Sequence, residues 1–322
     1  MSTEIDPIEA QRRELFEQLS ADSPYENGEL HSYHSIGAQW DCSHAANYRF
    51  GIEAEKEDFD GKNLCETYQG YSDDLLEHQW RAERDGSLGA GGFELISPVY
   101  NLKTDKYLEH LSTPVLSYLI HCKTSFRCGG HITISVKDKS HEWYQKKAAQ
   151  IIPLLYALYP KRAKTSGYAR FFHKESHNQR YNAINISGNK MEIRIFAGIK
   201  HLKQLKWRVE LLRILFCDEN HQECTWDSIY KDLLDVQSSL GKHILNLYGK
   251  KYGEKIMLAT AYSKAYQIQE LEWKEYSRVS RLIPNGVKRG LRVQPNPASS
   301  TKNPLQLTLD VCDYSQERTD EA

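Results

Sequence analysis

Between Tyr48 and Gly198 the chain alternates apolar and polar residues one by one in short segments, which restricts it to strands with two unlike faces. The segments are YRFGIEAEKE, FELISPV, HITISV, YNAINIS and KMEIRIFAG; the last two are separated by Gly188-Asn189, which predicts a hairpin. One face of each is apolar: Ile52 and Ala54, Phe93 and Leu95, Ile132, Ile134 and Val136, Ile184 and Ile186, then Met191, Ile193 and Ile195. The other face carries Glu53, Glu55, Glu94, His131, Asn185, Glu192 and Arg194. A merely solvated sheet face tends towards Thr, Lys and Ser instead. Same-face neighbours stand about 7 Å apart along a strand, a spacing that lets two carboxylates bracket divalent cations. A wet antiparallel strand alone would also alternate Glu53 with Glu55. The metal reading therefore rests on the whole set, since so many carboxylates on one face repel unless cations sit among them.

Two helical stretches, about 105–121 and 141–159, lie between the strands, and helices follow at about 202–216, 226–248 and 254–282. The expected class is α+β: a mostly antiparallel sheet, helices packed on its apolar face, and a helical C-terminal part. Residues 1–45 read as an N-terminal extension, a helix over 6–20 and then a loop. Residues 46–283 read as the main domain, with a sheet core at 46–200 and a helical part at 201–283. Residues 284–322, rich in Pro, Gly and polar side chains, read as a mostly flexible tail.

A net charge of −1 lacks the broad basic field of a general nucleic-acid binder, so no nucleic-acid partner is expected. The greasiest stretch, IIPLLYALYP, is too short to cross a bilayer, so no membrane partner is expected either. The seven cysteines are scattered without a CxxC pair and point to a reduced, cytoplasmic setting. His31, His34, Cys42 and His44 match no common zinc module and read as a loop coincidence. The glycines of DGSLGAGG (85–92) and CGGH (128–131) match no phosphate-binding fingerprint and read as turns ahead of strands.

Taken in order, GIEAEKE, ERDGSLGAGGFELISPV, CGGHITISV, RYNAINIS and MEIRIFAGI resemble the amidoligase family of the carboxylate-amine ligase superfamily. That family is similar in fold to glutamine synthetase and glutamate–cysteine ligase. The resemblance covers about Tyr48 to Ile199 and implies a curved sheet of that type with a catalytic domain over 46–283. It implies that Glu53, Glu55 and Glu94 hold Mg²⁺, or Mn²⁺ in its place, with His131 and Glu192 completing the metal set against the phosphates of ATP. Arg194 would face the transferring phosphoryl group, and Arg180, Asn182, Asn185 and Arg194 would form the nucleotide or substrate rim. Where the family carries His-x-His, this chain has His131-Ile132-Thr133.

The implied reaction is ATP-dependent ligation. A substrate carboxylate attacks the γ-phosphate to give an acyl phosphate, and an amine then displaces phosphate to give an amide or isopeptide bond. Asp85 is the candidate to accept the proton of the attacking ammonium. The basic loop 161–178, with Arg162, Lys164, Arg170 and His173, is a candidate lid. The partners are a carboxylate-bearing and an amine-bearing substrate, each a small molecule, peptide or protein, and a homo-oligomer stays open. Two other readings also stay open. One is a divalent-metal phosphohydrolase or nuclease. The other is a non-catalytic protein retaining the fold, binding nucleic acid through Lys274, Arg278, Arg281, Lys288, Arg289 and Arg292.

Overall fold

A computed structural model describes residues 14, 24–32, 46–68, 71–159, 162, 182–217 and 226–267. The described part of Met1–Thr133 with Ala197–Leu202 forms one compact unit, and that of Ile134–Phe196 with Lys203–Ala322 a second. The first unit runs from a 3₁₀ turn, Pro24–Asn27, through strand β1 (Tyr48–Lys56), helices α1 (Gly61–Thr67) and α2 (Tyr71–Glu77), and strands β2 (Arg81–Arg84), β3 (Phe93–Ile96) and β4 (Tyr100–Asn101). Helices α3 (Lys106–His110) and α4 (Pro114–His121) follow, and then β5 (Gly130–Val136), which begins in this unit and ends in the second. The second unit adds α5 (His141–Leu158), the strands β6 (Ile184–Ser187) and β7 (Lys190–Ile193), and helices α6 (Leu202–Phe216), α7 (Trp226–Leu233), α8 (Ser239–Tyr248) and α9 (Tyr252–Gln267).

The protein is α+β. In the first unit the hydrogen-bonded order is β2–β3–β1–β5, with β4 paired to the start of β1; in the second, β7 is flanked by β5 and β6. The β1–β3, β1–β4, β2–β3 and β6–β7 pairs are all antiparallel. Period-two burial follows the sequence pattern: Phe50, Ile52 and Ala54 are fully inside on β1, as are Ile132 and Ile134 on β5, while Thr133 and Ser135 are half-exposed. Beneath the first unit's sheet, Trp80, Tyr100 and Tyr107 bury their rings. The polar tips of Trp80 and Tyr100 are satisfied in sequence, because Trp80 Nε1 donates to the Tyr100 hydroxyl (2.8 Å), which in turn shares a hydrogen bond with His110 Nδ1 (2.7 Å). In the second unit α5 packs on α9, β6 and β7. The Tyr144 hydroxyl is tied to the backbone of Val136, and that of Tyr248 donates to the Ala157 carbonyl at 2.6 Å.

Several elements depart from the sequence reading. The helix expected over 105–121 is two, because Pro114 has no N–H to continue one and instead opens α4 with Thr113 as its N-cap. The helix expected over 226–248 breaks after Leu233, and Ser238 restarts the chain as α8 by accepting the Gly241 N–H at 2.8 Å. Helix α9 covers the first half of 254–282, and residues beyond 267 lie outside the described part. Helices α1 and α2 and strands β2 and β4 were not foreseen. The boundary between the two compact units falls within β5.

Part of the stretch read as an extension is built into the first unit. His31 bridges Glu83 in parallel, its N–H donating to the Ala82 carbonyl (3.1 Å) and its carbonyl accepting from Arg84 (2.9 Å). Tyr25 is fully buried and its hydroxyl accepts the Ala82 N–H at 2.8 Å. The segment thus covers the outer edge of β2. It crosses α1 at two glycines: a Cβ on Gly61 would lie 1.7 Å from the Gly28 carbonyl oxygen, and Gly28 has a positive φ of 69°.

Burial pushes three histidines down to about 4: His31, with help from Arg81; His110, with His78 and Lys106; and His243, with Arg208. Unfolded, each titrates near 6.5, so their contribution to stability is complete above about that pH and is lost as pH falls towards 4. The melting temperature at constant ionic strength should therefore fall steeply below about pH 6.5, with net proton uptake on unfolding. A flat profile across that window would show these rings to be solvated.

Candidate metal centre

The site begins with register. Glu55 on β1 stands directly opposite Glu94 on β3, and Glu94 stands directly opposite Glu83 on β2, so three carboxylates form one row across three strands. Directly paired residues have Cβ atoms about 5 Å apart, and like charges so placed repel. All three are buried: Glu83 is fully inside, Glu94 is 7% exposed and Glu55 8%. Arg81 lies 3.4 Å from Glu83 and offsets one end of the row. Burial, and then the charges of Glu53, Glu55, Asp85 and Glu83, push the Glu94 carboxyl well above the ordinary carboxylate range.

His131 closes the other side. Its Nε2 lies 3.6 Å from Glu55 Oε1 and its Nδ1 lies 3.5 Å from Glu53 Oε2, so both ring nitrogens face carboxylates. Glu55 is held in turn by the Gly129 N–H, which donates to its Oε2 at 2.5 Å. The glycine pair ahead of His131 has a steric reason beyond the turn expected of it: a Cβ on Gly129 would sit 2.2 Å from His131 Nε2. One donor atom each from Glu55, Glu94 and His131 lie within 4.8 Å of one another. Two carboxylate oxygens and one imidazole nitrogen, already mutually repulsive where they are acidic, fit Mg²⁺ or better Mn²⁺, which tolerates nitrogen more readily.

Within the second unit Glu192 and Arg194 form a close ion pair, and Asn185 Nδ2 donates to the second Glu192 oxygen at 3.1 Å. Asn185 stands opposite Glu192 in the hairpin register, as the alternation requires. Arg194 is anchored by its backbone N–H to Ala183 (2.8 Å), while its side-chain Nε is buried without a hydrogen-bond partner. Asn182 is buried. Asp85 is half-buried at a cleft of about 610 Å³ lined also by Gly28, Leu30, Phe59, Arg84 and Leu88. Its carboxylate accepts the Ser87 N–H at 2.7 Å.

Glu53, Glu55, Glu94 and His131 are thus brought together, whereas Arg180 lies outside the described residues. So do His34, Cys42, His44, the tail over 284–322, the basic residues from Lys274 onward, helix 6–20 apart from Glu14, and loop 161–178 apart from Arg162. Glu83 and Arg81 were missed. The only signal was the alternation of RAER just before the Asp85-Gly86-Ser87 turn, too short to separate from a charged loop. Burial pushes the thiols of Cys122 and Cys128 up, Cys122 to about 11. Comparison with protein-family models, with curated proteins and with solved structures returned no match to this chain.

Proposed function

We propose that the chain is an ATP- and divalent-cation-dependent carboxylate-amine ligase of the amidoligase type, on the curved sheet of glutamine synthetase-like enzymes. The observation that supports it best is the buried row Glu83–Glu94–Glu55 with His131 set against Glu55 and Glu53. On this reading Glu55, Glu94 and His131 hold the cation, and Glu53 joins them or fixes the imidazole. A bound Mg²⁺ or Mn²⁺ supplies charge neutralisation for phosphate oxygens.

The remaining roles belong to the chain's own groups. Arg194, steered by Glu192 and with an unmet Nε donor, stabilises negative charge on a phosphoryl group. Asn182 and Asn185 form the nucleotide or substrate rim. Asp85 accepts a proton from the incoming ammonium at its cleft. The substrate carboxylate is activated as an acyl phosphate, and the amine then displaces phosphate. A cation site complete within the first unit equally suits a metal-dependent phosphohydrolase, which would act without ATP.

A thermal-shift titration with Mg²⁺-ATP on the wild type and on Glu192→Ala tests the ligase reading before either substrate is known. Nucleotide at 100 times its dissociation constant should add about 2.7 kcal/mol of stability to the wild type and much less to the variant. No shift with any divalent cation and ATP would overturn the reading. Phosphodiester cleavage without ATP would replace it with the hydrolase.

A further inference from the structure

Away from the carboxylate row, the second unit buries a cation that has no counter-charge among the described residues. Arg208 on α6 is 1% exposed and makes no ion pair among the described residues. Its Nε donates to the Tyr159 hydroxyl at 3.0 Å, and its guanidinium carbon lies 5.2 Å from the Phe196 ring centre, 5.7 Å from that of Trp207 and 5.8 Å from that of Tyr159. Aromatic faces offset part of the cost of burying a guanidinium, but an uncompensated charge inside a protein still costs several kcal/mol.

Arg208 Nη1, Trp207 Nε1 and His243 Nε2 are all buried without a partner. The first two can only donate. Trp207 and His243 lie face to face, 4.0 Å apart and 8° from parallel, so the indole and imidazole are held in one stack beside the guanidinium. Glu210, the acidic residue next along α6, is engaged elsewhere, accepting the Leu240 N–H at 2.8 Å. Burial keeps His243 neutral at physiological pH, so it supplies no further positive charge. Among the described residues the cluster therefore has donors in excess and lacks a negatively charged acceptor. Tyr159 and His243, its half-buried members, mark where it meets solvent.

We infer that Arg208, with the Trp207 indole and the His243 ring beside it, anchors a binding site for an oxyanion, the carboxylate or phosphate group of a small ligand. The inference is independent of the ligase reading. A guanidinium with an unpartnered Nη1 donor suits either group, and the two are distinguished by which probe binds.

The test titrates inorganic phosphate and, separately, acetate into the full chain at constant ionic strength set with chloride. The readouts are the Trp207 indole N–H resonance, identified by its absence in Trp207→Phe, and the melting temperature. One of the two anions should move that resonance saturably and raise the melting temperature. Arg208→Lys should weaken its binding by roughly tenfold or more, the loss of one charge-assisted hydrogen bond, and Arg208→Met should abolish it. Phosphate binding assigns a phosphoryl ligand, and acetate binding a carboxylate. If Arg208→Met fails to fold, the wild type and Arg208→Lys still decide. A Trp207 resonance unmoved by either anion, or moved equally in Arg208→Lys, would overturn the site and leave Arg208 a core cation held by rings.

Discussion

Lys56→Met is expected to destabilise the protein by about 3 kcal/mol or more, the cost of removing a charged donor from several buried carbonyls. Lys56 ends β1 on its apolar face and is fully buried. Its ammonium donates to the backbone carbonyls of Ile120, Cys122 and Ile199. Ile120 lies in the last turn of α4 and Cys122 is its C-cap, where carbonyls have no intrahelical partner and the helix dipole is negative. One side chain therefore caps a helix and ties residues 197–202 to the strand that carries Glu53 and Glu55. Methionine keeps the volume and strands the carbonyls. Arginine keeps the charge, but its planar fork cannot replace a compact ammonium there. Urea denaturation of the three proteins measures this directly, and a loss under about 1 kcal/mol for Lys56→Met would show those carbonyls to be satisfied by other means.

The second large effect has the opposite sign. In chelated protein, Glu94→Gln should raise stability near neutral pH, because it removes the middle carboxylate of three opposed ones, whose carboxyl is held well above its ordinary range. A carboxyl whose folded pKa is raised contributes most below its unfolded pKa, and loses that contribution as pH rises through the folded value. The advantage of Glu94→Gln should therefore shrink as pH is lowered, and this difference between two proteins separates it from the histidine transitions, which both share. Adding Mn²⁺ or Mg²⁺ should stabilise the wild type and leave the variant nearly unchanged. A chelated Glu94→Gln less stable than wild type would mean that the row is held by hydrogen bonds to ionised Glu94 and not strained by repulsion.

The strands that carry the site were legible because each has one apolar and one chemically distinctive face, so Glu53, Glu55, Glu94, His131 and Glu192 could be assigned a side from period alone. What escaped was polar burial. Lys56, within the run Glu55-Lys56-Glu57-Asp58, reads as a strand leaving for solvent, and only the fold reveals the carbonyls waiting for it. Strand β2 is four residues of alternating charge, and nothing local distinguishes an inward Glu83 from an outward one. The breaks before Pro114 and Ser238 were signalled by Thr113-Pro114 and by a serine cap, but helical periodicity on both sides masked them. Arg208 was invisible for the same reason as Lys56: a cation on a helix reads as surface until its neighbours prove to be rings.

The crossing of Gly28 over Gly61 has a genetic corollary. Neither position can accept a side chain while the other backbone stays in place, so a substitution in either codon meets the same obstacle. A lineage that replaced either glycine would have to give up the seating of Tyr25 and His31 on β2 at the same time, and the loss would surface as a fault at the sheet edge, remote from the altered base.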